Sequence, residues 1–97
     1  MRQIKTTIEF WKEGTLYIAH APELDMLAQG KTMEEARRNL LEVIEIQVEE
    51  MQQLGSLEEF LKETGFSFQQ DGLISERDRV GYDKVFLPFS ALVEQTR

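Results

Sequence analysis

The chain has 97 residues, no cysteine, 41% hydrophobic and 30% charged residues, and a formal net charge of −7. That length supports one domain with a thin core, to which dimerisation is a natural supplement, and the composition excludes a disulfide scaffold, thiolate metal sites, a cysteine nucleophile and global disorder. No apolar run approaches the ~18 residues of a membrane span and no signal-peptide core opens the chain, so the expected compartment is the cytoplasm.

Residues 3–11 alternate, with Ile4, Ile8 and Phe10 on one face and Lys5, Thr7 and Glu9 on the other, which predicts a half-buried strand. A turn over Lys12-Glu13-Gly14-Thr15 leads to a second strand, Leu16 to Ala21, apolar on both faces and therefore central. Pro22-Glu23-Leu24-Asp25 breaks it, and Met26 to Lys31 reads as a short third strand with Gly30 near its end.

Thr32 and Glu35 have the spacing of a capping box, in which hydroxyl and carboxylate each take a backbone amide. Met33, Ala36, Leu40, Ile44, Val48 and Met51 then recur at three-four spacing, predicting a helix from Met33 to Leu54, roughly 33 Å long, with Gly55 as its stop. Ser56 and Glu59 suggest a second capping box on a short helix from Leu57 to Thr64, closed by Gly65, and Phe66-Ser67-Phe68 reads as a fourth strand. Gln69 to Gly81 is polar and reads as a loop. Lys84 to Phe89 reads as an edge strand or a partner-binding arm, since Pro88 excludes a central strand.

The expected fold is α+β: an antiparallel sheet of three to four strands in the order β-β-β-α-α-β, with one long helix packed on it. Residues 1–70 form the domain, and residues 71–97 form a tail that serves as an edge strand or as an arm for oligomerisation or partner binding. No two-helix pattern with a basic recognition face occurs in that tail, so no DNA-binding domain is read there.

Charge is uneven along the chain. Residues 33–63 carry nine glutamates against Arg37, Arg38 and Lys62, whereas residues 1–32 balance. An acidic surface repels phosphate and attracts basic proteins, so direct nucleic-acid binding is not expected. His20, the one histidine, sits in the second strand and reads as a neutral structural residue. Glu9, Glu23 and Asp25 are too ordinarily spaced to argue for a two-metal site, and neither a phosphate loop nor a nucleophile elbow is present. Catalytic, metal and cofactor residues are accordingly not assigned, and the chain is read as a non-enzyme. Trp11, beside a turn, suits sheet packing and an interface anchor equally.

Tyr17-x-Ala19-x-x-Pro22-Glu23-Leu24 followed by Gln29-Gly30-x-Thr32-x-Glu34-Glu35-Ala36-x-x-Asn39-Leu40-x-Glu42 resembles the core of the HicB-type antitoxin family, over about residues 5–54. The resemblance implies a partial ribonuclease-H-like fold without active-site acids. It also implies homodimers or larger assemblies, and neutralisation of a small basic HicA-type toxin that cleaves mRNA. Many relatives carry Leu-Pro-Gly where this chain has Leu24-Asp25-Met26, an acid where it has Lys31, and an added DNA-binding domain. A different class of reading is a stand-alone HicB-like oligomeric scaffold or small-ligand-binding domain without a toxin. For the antitoxin reading, Trp11, Glu23, Leu24 and Asp25 are the expected partner-binding residues, with acids flanking an apolar side chain at the turn.

Overall fold

The computed structural model describes residues 4–69, 72–75 and 80–87. Along the chain it places β1 (Ile4–Lys5), β2 (Glu9–Glu13), β3 (Leu16–Ala21), β4 (Met26–Gly30), α1 (Met33–Leu54), α2 (Leu57–Glu63), β5 (Phe66–Gln69) and β6 (Gly72–Ser75). The α+β class and the long helix packed on a sheet are as the sequence predicts. The strands divide into two three-stranded sheets, ordered β2-β3-β4 and β1-β6-β5 among the described residues.

β2 and β3 pair antiparallel across a two-residue loop, with Gly14 at φ 60° giving the primed turn geometry that matches strand twist. β3 is central, as its two apolar faces require. The registers Phe10↔Ala19↔Ala28 and Ala21↔Met26 put small and apolar side chains on the face toward α1. There Ala19, Ala21, Ala36 and Leu40 are fully buried and join Leu24, Leu61, Phe66 and Leu73 in the core. Ile4, Ile8 and Phe10 pack against that core from the first strand region, as their alternation predicts.

α1 sits close because β4 ends in glycine. A Cβ on Gly30 would lie 2.5 Å from the Ala36 amide nitrogen and 2.9 Å from Glu35, far inside van der Waals contact. Thr32 Oγ1 accepts the Glu35 amide at 3.0 Å, the first half of the expected capping box, but no return bond from Thr32 to the Glu35 carboxylate forms. Asn39 Nδ2 donates to the Gln29 carbonyl at 2.9 Å and ties the helix to β4. Gly55, at φ 75°, donates to Gln52, and Ser56 donates to Met51 at 2.9 Å, which is the Schellman closure.

Two expectations need correction. Ser56 does not cap α2 with its side chain, because its backbone is committed to closing α1 and holds φ −104° and ψ 1°, not an extended N-cap conformation. The stretch from Gln69 to Gly81 is not all loop: Gly72–Ser75 forms β6, antiparallel to β5 and parallel to β1. Buried Leu73 opposite Ile4 anchors it in the core, so the fold extends past residue 70. Residues 80–87 carry neither helix nor strand, and the edge-strand reading of Pro88 and Phe89 lies outside the described residues. Among the described residues no helix is long and apolar enough to cross a membrane.

Candidate functional site

The side of the β2-β3-β4 sheet away from α1 carries Glu9↔His20↔Leu27 and Trp11↔Ile18↔Gln29 in register. Trp11 is 39% and Leu27 57% exposed, while Ile18 between them on the same face is only 9% exposed. His20 also stands between Trp11 and Leu27. Its Nδ1 is 3.1 Å from Glu9 Oε2 and its Nε2 is 3.8 Å from Asp25 Oδ1, and the Trp11 ring meets it edge-on at 5.6 Å and 62°. An imidazole bracketed by two carboxylates and an indole is fixed in orientation. It becomes a true ion pair with the carboxylates only when protonated.

The β3–β4 turn sends its three candidate residues in three directions. Leu24 is 1% exposed and lies in the core, which corrects its reading as a partner-binding side chain: a buried leucine offers a partner no surface. Glu23 turns inward. Its carboxylate accepts Thr6 Oγ1 at 2.8 Å, the Thr7 amide at 3.0 Å and Thr7 Oγ1 at 2.7 Å. Burial pushes its pKa up, but the Thr7 amide, the Thr7 hydroxyl, its own amide and the Thr6 hydroxyl together outweigh burial and hold it below the ordinary glutamate range. The Thr7 amide is thus bonded to Glu23 in the segment where the chain passes from β1 in one sheet to β2 in the other.

Asp25 alone of the three faces solvent, with its side chain 97% exposed and its backbone at φ 54°. Thus the structure gathers Trp11 and Asp25 around His20 and leaves Glu23 and Leu24 as internal supports. His20, Glu9 and Leu27 were missed as members of this patch. The signal was available: a two-residue loop at Gly14-Thr15 fixes the register that sets Glu9 opposite His20.

Two shallow clefts border the patch. One, of about 660 Å³, runs along residues 7–11 and is closed on its far side by Val80, Tyr82 and Lys84. The other, of about 410 Å³, joins Glu23 and Asp25 to Glu63 and Thr64 at the end of α2 and is lined by three acids and no base. Among the described residues no group of three His, Cys, Asp or Glu side chains could hold a metal ion. Comparison with family models, with curated proteins and with solved structures finds no match to this chain.

Proposed function

We propose that the chain is a HicB-like antitoxin: a protein-binding domain that neutralises a small, basic, HicA-type mRNA-cleaving toxin by covering its nucleic-acid face. One observation carries this reading. Trp11, Leu27, Glu9 and Asp25 converge around His20 on the sheet face away from α1, giving exposed apolar anchors rimmed by acids. A protein that holds RNA phosphates presents the opposite sign of charge.

Longer-range charge points the same way. From Asn39 to Glu63 the two helices carry seven exposed glutamates against Lys62, and such a field speeds and orients the approach of a basic partner more than it adds affinity. The residues that carry the HicB resemblance do structural work here: Gly30 admits the helix, Thr32 caps it, Asn39 ties it to β4, and Glu23 clasps Thr6 and Thr7. They hold the patch in place without themselves forming it.

The test is to purify the chain with the small basic protein encoded beside it and to measure RNA cleavage. A stable stoichiometric complex in which cleavage is lost supports the reading. Undiminished cleavage in the presence of a molar excess of the chain rejects it.

A further inference from the structure

His20 is the one histidine of the chain, and an imidazole, with an ordinary pKa of about 6.5, is the side chain that changes charge between about pH 5 and 8. Its two ring nitrogens meet different situations. Glu9 Oε2, 3.1 Å from Nδ1, is an acceptor, so Nδ1 carries the proton of the neutral ring and donates it there. Nε2 is then a bare lone pair, and Asp25 Oδ1 stands 3.8 Å away, acceptor facing acceptor and beyond hydrogen-bond reach. A second proton on the ring reverses this, because Nε2 becomes a charged donor aimed at a carboxylate. Of the three groups Asp25 has the room to move: its side chain is 97% exposed, against 18% for His20 and 25% for Glu9.

We propose that Glu9, His20 and Asp25 form a proton-operated latch, in which protonated His20 draws Asp25 onto Nε2 and takes its charge out of the acidic rim. β2 brings Glu9 and the edge of the Trp11 ring to the imidazole, the β3–β4 turn brings Asp25, and β4 brings Leu27, which carries no charge. Further out, Glu9 shares one cleft with Tyr82 and Lys84, and Asp25 shares the other with Glu23 and Glu63. Glu23 is committed to Thr6 and Thr7 and so does not compete for the ring. With the latch open, a neutral imidazole lies between two carboxylate charges. With it closed, an imidazolium cancels one of them, and the side chain that reached furthest into solvent is drawn back onto the sheet. Resting on the reading of this face as the one that docks a basic partner, the latch loosens that grip as pH falls below neutral, because less negative charge remains to meet it.

The sole tryptophan, Trp11, lies 5.6 Å from the sole histidine, and a charged imidazole quenches indole emission, so the free full-length chain reports its own latch. Emission should fall in one step between about pH 8 and about pH 5.5, and His20→Gln should lack the step. Urea denaturation of wild type, His20→Gln, Asp25→Asn and the double variant then gives the coupling between the two residues, and asparagine keeps the left-handed backbone of the turn. That coupling should be near nil at about pH 8 and about two- to fivefold in the unfolding equilibrium constant at about pH 5.5. An equal coupling at the two pH values overturns the latch, and so does emission without a step. Should His20→Gln fail to fold, the gap between wild type and Asp25→Asn, which alters an exposed group alone, must still open in acid, and a constant gap overturns the latch equally. Over the same range the affinity of wild type for the small basic protein encoded beside it should fall about tenfold, and that of His20→Gln should fall less. Parallel falls in the two overturn the control of docking. Absence of binding at either pH, with the acid coupling present, overturns the antitoxin reading and upholds the latch.

Discussion

Thr7 and Glu23, sixteen residues apart, face each other so that the Thr7 amide reaches one carboxylate oxygen at 3.0 Å and the Thr7 hydroxyl the other at 2.7 Å. With Thr6 adding a third bond, the carboxylate staples the β3–β4 turn to the segment between β1 and β2. Hydrogen bonds to a charged group are worth more than neutral ones, so Glu23→Gln should lower stability by about 1–3 kcal/mol in urea denaturation at neutral pH. The folded state holds the Glu23 pKa below its unfolded value, so this contribution is fully present above the unfolded glutamate pKa of about 4.3 and fades as pH falls through the lower folded value. Wild type and Glu23→Gln should converge in stability in that acid window. A gap that stays constant down to pH 2 would show that the clasp is not electrostatic.

Gly30 gives the sharpest packing prediction. The atoms a Cβ would strike, the Ala36 amide and the Glu35 backbone, belong to the first turn of α1 and cannot rotate aside. Gly30→Ala must push the helix off β4, straining the Asn39–Gln29 bond as well. The expected loss is about 2–4 kcal/mol, read as a fall in Tm of roughly 10–25 °C. Gly14→Ala makes a useful contrast, since nothing lies within 4 Å of its Cβ position and only the left-handed backbone resists.

The parts of the fold legible from sequence are those fixed by neighbours along the chain. Leu16–Ala21 is bounded by a glycine turn and a proline, and α1 by Thr32 and Gly55, and both come out with the ends the sequence predicts. The parts that were not legible depend on distant partners. The break after Lys5 marks where the chain leaves the sheet of β6 for the sheet of β3, and β6 holds only Leu73 and Ile74 as apolar residues, too few for a pattern, yet Ile4 gives it a parallel neighbour. The site divided in the same way. Exposure of Asp25 follows from its place in a turn, whereas Trp11, in the middle of β2, is exposed by the sheet face it occupies, and the burial of Leu24 belongs to a core it shares with Leu61 and Phe66, residues distant in sequence.

Asp25 occupies the left-handed region at φ 54°, where an L residue is strained and glycine is not. Asp25→Gly should therefore leave stability within about 1 kcal/mol of wild type, on the favourable side if strain outweighs the added freedom of the unfolded chain. Asp25→Val, whose branched side chain tolerates that backbone worst, should cost about 1–2 kcal/mol. Equal stabilities for the two variants in thermal melts would mean that the turn relaxes to a negative φ.

The last prediction separates the docking face from its supports. If a basic partner binds the open side of the sheet, Trp11→Ala should raise its Kd by about thirtyfold or more, the effect of losing a central aromatic anchor. Trp11 also lines the cleft beside Val80 and Tyr82, so its replacement alters that cleft as well as the sheet face. Leu27 resolves this: it lies on β4, at the opposite edge of the sheet, and is paired in register with His20. Leu27→Ser should weaken partner binding by roughly tenfold while circular dichroism is unchanged. Asp25→Asn should chiefly slow association, with the difference shrinking as salt is raised, because an exposed rim charge acts on encounter more than on the bound state. Glu23→Gln, whose group is spent inside the chain, should lower thermal stability while changing partner affinity little at temperatures where the variant is folded. Trp11 is the sole tryptophan, so its emission reports the event directly and should shift to the blue as the partner covers it. Emission unmoved at saturating partner, together with undiminished affinity for Leu27→Ser, would place the interface elsewhere, on the glutamate-rich surface of α1 and α2.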